Sequence, residues 1–129
     1  KVFCSIVPDG YHVSFPAIRI AKKIMGDRLF AITDAVTETH EGYYQHVLDG
    51  DKYTANGILS GSALTMSKCA KNFVDHCNIK IDEALRMCSL YPARVIKKEN
   101  ELGTIATGKK ANLVVLSNTL DVIETITSD

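Results

Sequence analysis

Apolar residues crowd into two short runs near the start of the chain, Val2-Phe-Cys-Ser-Ile-Val7 and Leu29-Phe-Ala-Ile-Thr33. Continuous apolar runs of this length read as strands buried on both faces, the texture of a parallel sheet. Pro8-Asp9-Gly10 stops the first run. Between the runs, Ile18, Ala21, Ile24 and Met25 recur at helical spacing, with Ser14 as a cap, Pro16 in the first turn and Gly26 as a terminator. The pattern predicts a strand over 2–7, a helix over 15–26 and a strand over 28–33, a βαβ unit with a right-handed crossover.

The pattern then changes. Residues 36–57 are polar and irregular, with two short extended pieces around Asp49-Gly50-Asp51, which predicts a loop carrying a small ribbon. Ile58 to Thr65 reads as a turn leading into a helix. Met66, Cys69, Ala70, Phe73, Val74 and Cys77 follow the i, i+3, i+4, i+7, i+8, i+11 pattern and predict an amphipathic helix that ends near Asn78. Asp82 is the expected cap of a second helix through Ala84, Leu85 and Cys88, and Pro92 the start of a third carrying Ala93, Val95 and Ile96. After Gly103 the texture becomes β, with two or three strands and glycine turns expected to form a small sheet apart from the helices.

Composition narrows the class. The 129 residues are 46% hydrophobic and 23% charged, a globular balance. A chain of this length buries roughly two-thirds of its unfolded surface. Fifteen basic and fifteen acidic residues cancel, so bulk charge points neither to nucleic acid nor to an anionic membrane. No apolar run approaches the roughly 20 residues of a bilayer span, and the first residues are too quickly interrupted for a signal peptide, so a soluble, untargeted chain is expected. Cys4, Cys69, Cys77 and Cys88 include no C-x-x-C pair and three lie on apolar helical faces; reduced thiols in a cytoplasmic protein are expected.

As an independent domain the inventory is incomplete. Two parallel strands leave both sheet edges open and their faces uncovered. A barrel closes with about eight strands and about 250 residues, so these strands are expected to be its last two, the others lying elsewhere.

Five segments carry a resemblance. Asp9-Gly-Tyr-His12-Val, Ile32-Thr-Asp34-Ala, Gly57-Ile-Leu-Ser-Gly-Ser-Ala-Leu-Thr-Met66, Leu90-Tyr-Pro-Ala-Arg94 and Leu102-Gly-Thr-Ile-Ala-Thr-Gly-Lys-Lys-Ala-Asn-Leu113 resemble the C-terminal third of N-acetylglucosamine-6-phosphate deacetylases. These belong to the amidohydrolase superfamily of metal-dependent hydrolases. The last segment marks only the superfamily; the first and third narrow it to the amino-sugar-phosphate deacetylases. The resemblance implies an α/β fold, the C-terminal part of a (β/α)₈ barrel over residues 1–102, with strands 103–129 returning to a small β-sandwich. It makes 2–7 and 29–33 the seventh and eighth barrel strands. It also implies a divalent metal, zinc or similar, whose ligands are not in this chain, and an amino-sugar phosphate as the small-molecule partner of a cytoplasmic homodimer.

Hydrolysis of an acetamide needs an activated water, a stabilised oxyanion and a proton for the departing amine. A metal can supply the first two, and a carboxylate can move the proton. A strand end is where a barrel presents such a group, and the resemblance gives the role to Asp34. Position alone also allows an aspartate that caps a neighbouring helix or turn. The resemblance makes His12 a contact to the sugar phosphate and Leu59, Ser60 and Gly61 main-chain contacts to substrate; read blandly, His12 is a solvated loop residue, and Ser62 or Thr65 simply caps the following helix. His40, His46 and His76 show no metal-ligand spacing. After Asp34-Ala35 the stretch Val36-Thr-Glu-Thr-His-Glu-Gly-Tyr-Tyr44 departs from the shorter, proline-containing loop of some relatives, which leaves metal preference and acyl tolerance open. Two rival readings remain: another amidohydrolase, dihydroorotase-like or adenine-deaminase-like, and a non-catalytic α/β binding module. On the leading reading, the chain alone is expected to be inactive.

Overall fold

The structure, a computed structural model, describes residues 2–127. Residues 1, 128 and 129, at the ends of the two expected units, lie outside them. The first expected unit is present: β1 (Cys4–Ile6), α1 (Phe15–Met25) and β2 (Leu29–Ala31) form a parallel pair joined by a helix. Cys4 pairs with Leu29 and Ile6 with Ala31, and the Ile32 N–H donates to the Ile6 carbonyl at 3.0 Å, carrying the ladder one residue further. β2 is buried on alternate residues, Leu29 and Ala31. The run 2–7 is covered only at its end: Ile6 and Val7 are buried, whereas Val2, Cys4 and Ser5 are exposed. A strand expected to be buried on both faces therefore keeps an open side among the described residues.

The helices differ from the expected faces in places. On α1, Ile18 is buried while Ile24 is 69% exposed. Ser14 caps with its main chain only, its carbonyl accepting the Ile18 N–H at 3.1 Å. Helix α2 (Met66–Cys77) is as predicted, with Cys69, Ala70, Phe73 and Cys77 buried. Thr65 Oγ1 accepts from the Lys68 N–H at 3.2 Å, and Asn78 ends the helix in the left-handed conformation. Helix α3 (Ile81–Cys88) has Lys80, not Asp82, at its N-cap. Asp82 lies in the first turn, where its charge still favours the positive helix end. Its core residues are Ala84 and Met87; Leu85 faces out. Helix α4 (Leu90–Val95) starts before Pro92 and buries Tyr91 and Ala93, leaving Val95 and Ile96 exposed.

One ionic knot ties three helices. Lys22 of α1 pairs with Glu83 of α3, and both Glu83 oxygens accept from Tyr91 Oη of α4 at 2.9 Å. Burial raises the Glu83 pKa, and the hydrogen bonds from Lys22 and Tyr91, the Lys22 charge and the hydrogen bond from Arg86 together outweigh it, so the carboxyl sits below its ordinary value. Burial and the same bond push Tyr91 up to about 12. A carboxyl with a depressed folded pKa contributes stability above its unfolded pKa, and that stability is lost as pH falls through the folded value. Glu83→Gln is expected to cost about 1–3 kcal/mol at neutral pH, because Lys22 is left half-buried without its counter-charge. In urea melts the gap to the parent should shrink in acid; a gap constant down to pH 3 would show that the charge is not the cause.

Between β2 and α2 lies an element the polar texture only half suggested. Strands β3 (Val47–Asp49), β4 (Lys52–Ala55) and β5 (Ile58–Ser62) make a three-stranded antiparallel sheet. The hairpin at Asp49-Gly50-Asp51 is as expected. The segment 58–62, expected as a turn, is instead a strand. Asn56 and Gly57 both have positive φ, +52° and +77°, the two-residue turn that matches strand twist and that Asn-Gly favours.

After α4, residues 103–112 form turns and irregular chain rather than a strand, and among the described residues only β6 (Leu113–Leu116) and β7 (Val122–Ile126) pair. An apolar groove of about 550 Å³ separates this pair from α2 and α3, lined by Met66, Leu85, Leu102, Leu116 and Val122 among others. The core proper lies under the βαβ unit and α2 to α4. All four cysteines are unpaired, and burial pushes the Cys69 and Cys88 thiols up to about 12 and Cys77 to about 11.

Candidate active site

The C-terminal ends of β1 and β2 face the three-stranded sheet, and polar side chains meet there. Past β1, the chain turns at Asp9, whose Oδ1 accepts the main-chain N–H groups of Tyr11 at 2.9 Å and His12 at 2.8 Å. Its Oδ2 lies 2.5 Å from His12 Nδ1, and the other ring nitrogen of His12, Nε2, lies 3.0 Å from Oδ2 of Asp34. A carboxylate, an imidazole and a second carboxylate thus stand in line. Burial falls along the line: the side chains are 1% exposed at Asp9, 22% at His12 and 54% at Asp34.

Asp34 follows β2 in a left-handed backbone conformation, φ +51°. Aspartate tolerates this better than most residues, and such backbone persists where the surroundings hold it. The hold comes from β5. The Ser62 N–H donates to the Asp34 carbonyl at 2.9 Å and the Val36 N–H to the Ser62 carbonyl at 3.3 Å. Ser62 is fully buried; its hydroxyl donates to the Thr33 carbonyl and accepts the Leu64 N–H at 3.1 Å. One strand therefore clasps the segment that presents the carboxylate.

The same strand carries Leu59, Ser60 and Gly61. Tyr53 pairs with Gly61 and Thr54 with Leu59, so Ser60 is the extra residue of a β-bulge, released from the ladder. Its hydroxyl lies 2.9 Å from His46 Nδ1. Lys52 of β4 sits over the Tyr11 ring at 4.8 Å, joining the sheet to the turn that bears Asp9.

The profile of the Amidohydrolase family matches residues 12–129. The chain belongs to the amidohydrolase family. It is 36% identical, over 97% of its length, to the N-acetylglucosamine-6-phosphate deacetylase of Haemophilus influenzae, and it covers 35% of that protein. The crystal structure of the corresponding Pasteurella multocida enzyme superposes with a TM-score of 0.90 at 36% identity, over 97% of this chain and 35% of that one. A Mycobacterium smegmatis variant, solved in complex with N-acetyl-D-glucosamine-6-phosphate, gives a TM-score of 0.83 at 26% identity, over 98% of this chain and 36% of that one. The chain spans about a third of the length of the curated relatives it matches. The α/β architecture is thus part of the amidohydrolase barrel fold.

Amidohydrolases are generally metal-dependent. Among the described residues no three His, Cys, Asp or Glu side chains converge as a metal site, so this amidohydrolase segment does not by itself fit an ion. Of the loop and helix histidines, His76 stacks on Phe15 at 4.5 Å, His46 serves Ser60, and His40 offers its carbonyl to Gln45. The structure brings His12 to Asp34 and ties the strand of Leu59, Ser60 and Gly61 beside them. Sequence reasoning assigned no site role to Asp9 and offered Ser62 only as a helix cap and His46 only as a metal ligand to be rejected; the structure places all three at the site. For Asp9 a local signal existed: an aspartate two and three residues ahead of the N–H groups it accepts is an Asx turn.

Gly61 has no room for a side chain. A Cβ there would stand 2.6 and 2.8 Å from the two Val36 methyls and 3.2 Å from Val36 Cβ. Valine is stiff at χ1 and cannot swing away cheaply. Gly61→Ala is expected to cost about 1–3 kcal/mol through overpacking and to push the Asp34 segment off β5. Adding Val36→Ala should recover most of the lost melting temperature; an undiminished loss in the double variant would assign the cost elsewhere.

Proposed function

We propose that this chain is part of an enzyme that hydrolyses N-acetylglucosamine 6-phosphate to glucosamine 6-phosphate and acetate. The observation that carries the reading is the Asp34 carboxylate, presented at a barrel strand end in held, left-handed backbone and kept partly open. In this role Asp34 takes a proton from the attacking water as its oxygen bonds to the acetyl carbon. As the C–N bond breaks, Asp34 gives that proton to the amine nitrogen, so one carboxyl acts as base and then as acid. Leu59, Ser60 and Gly61 bear on the substrate, chiefly through main chain, with Ser60 freed by the bulge, and His12 contacts the sugar phosphate. The relatives' names supply the substrate class.

The remaining parts of the reading belong to the whole enzyme. A divalent metal, zinc or similar, is held by residues outside this chain, and the chain alone is inactive. The barrel portion ends near residue 102 and residues from 103 return to a small sandwich. The family resemblance makes the enzyme a cytoplasmic homodimer.

The test is turnover by the full-length protein of N-acetylglucosamine 6-phosphate, read as acetate release, beside dihydroorotate, read as carbamoyl aspartate, and adenine, read as ammonia. Turnover of the amino-sugar phosphate is expected. Turnover of either comparison compound instead would move the chain to the rival branch of its family.

A further inference from the structure

The register of the three-stranded sheet carries a lysine to the candidate site. In β4, Lys52 stands opposite Asp49 of β3 on one side and opposite Ser62 of β5 on the other. Directly opposed side chains lie on one face of a sheet, and on that face the Ser62 hydroxyl donates to the Thr33 carbonyl, one residue before Asp34. Lys52 therefore leaves β4 on the side of the barrel strand ends. Its ammonium comes to rest 4.8 Å from the centroid of the Tyr11 ring, on the turn that Asp9 holds through the Tyr11 and His12 N–H groups.

Two partners hold this ammonium. Asp49 Oδ2 lies 2.7 Å from it, and the Tyr11 face attracts its charge. An ammonium has three N–H donors, so a donor remains after Asp49 and the ring have each engaged one. The hydrogen bond to Asp49 raises the Lys52 pKa above its ordinary value, and the group is a cation at neutral pH. Asp49 is 61% exposed and flanks a surface turn, so this ion pair is weak and yields to a stronger anion, whereas the lysine side chain is only 25% exposed. A cation seated between the sheet and the turn, with a donor to spare, suits an anion that arrives between them.

We propose that Lys52 is a specificity-determining residue that donates to the phosphate of the substrate. The proposal rests on the amino-sugar-phosphate reading above and adds a residue that selects the phosphorylated sugar. Lysine binds phosphate as a point charge. The phosphate sits on C6 of the sugar and the reacting acetamide on C2, so Lys52 holds substrate and transition state alike. Loss of such uniform binding raises KM and spares kcat.

Lys52→Met in the full-length enzyme keeps the stem and its packing on Tyr11 and removes the charge. The expected result is a KM for N-acetylglucosamine 6-phosphate higher by about 10- to 100-fold, the size of a lost charge-assisted hydrogen bond, with kcat within about threefold of the parent. Competitive inhibition by inorganic phosphate should weaken in step, while inhibition by unphosphorylated N-acetylglucosamine stays as in the parent. Unchanged KM overturns the proposal, and so does an equal weakening toward both inhibitors, which would make Lys52 a fastener between sheet and turn. Asp49→Asn tells the cation from the ion pair: the ammonium stays, so KM should hold or fall, and a raised KM overturns the proposal.

The parent enzyme separates the two levels. Acetate release by the parent beside an unaltered KM in Lys52→Met rejects the role of Lys52 alone. No acetate release by the parent rejects the deacetylase reading, and calorimetry with inorganic phosphate then judges the anion contact: weaker binding by Lys52→Met supports it, and equal binding rejects it.

Discussion

Asp34→Asn in the full-length enzyme is expected to lower kcat by on the order of 10²- to 10⁴-fold, the range a positioned general acid–base supplies. The substitution is clean for structural reasons. Asparagine has the same shape, tolerates the left-handed backbone that Asp34 adopts, and can still meet His12 Nε2 through its amide. The clasp through the Asp34 carbonyl and the Ser62 N–H involves main chain only, so it survives. What disappears is the ability to take a proton from water and return it to nitrogen. KM should therefore stay within a few-fold while kcat collapses, the signature of an interaction made in the transition state. The melting temperature should barely move. Acetate release at saturating substrate, with a thermal melt of the same preparation, checks both halves. Unchanged turnover would favour the non-catalytic binding module among the alternatives.

Much of this arrangement was legible from local pattern, and the exceptions have physical causes. Helices α1 and α2 announce themselves because their apolar residues repeat at helical period, as a buried face requires, and β1 and β2 because their apolar residues run continuously in short stretches. The strand 58–62 does not, because Ser60, Gly61 and Ser62 carry no apolar alternation; Ser62 is buried for its hydrogen bonds and Gly61 for the lack of a side chain beside Val36. The Asn56-Gly57 pair was the available signal for that hairpin. The β texture of 103–112 misled in the other direction: Thr, Ile and Ala there suit a strand, yet no partner pairs with them among the described residues. The half-exposed state of β1 has a similar origin, since a strand sequence made for neighbours on both faces finds them on one.

The candidate site divides along the same line. A lone carboxylate closing an apolar run marks Asp34, but its meeting with His12 depends on the parallel register Ile6 to Ala31 and on the turn at Asp9, and both are tertiary facts. The roles given to Leu59, Ser60 and Gly61 came from resemblance. The bulge that frees Ser60 arises from the register of two strands, which no single segment encodes.

Phe73→Ala is expected to be the most destabilising single change in the chain, at about 3–5 kcal/mol for a buried phenylalanine cut to alanine. Phe73 is fully buried on α2, in the cluster with Ile18, Leu29, Cys69 and Met87 that joins the βαβ unit to the later helices. Domains of ordinary size have only about 5–15 kcal/mol of net stability, so this loss approaches the whole. The consequence reaches the site because α2 also anchors it. Asn72, next in sequence, holds the Pro8 carbonyl behind Asp9, and the Cys69 thiol reaches the Ile32 carbonyl, at 4.0 Å, just before Asp34. Loosening α2 therefore frees both strand ends, and activity should fall in step with the folded fraction. Phe73→Leu keeps most of the volume and should cost well under half as much. Urea denaturation of the parent and the two variants orders them. A leucine variant as unstable as the alanine variant would mean that the aromatic ring's shape, rather than the volume it fills, holds α2 against the strands.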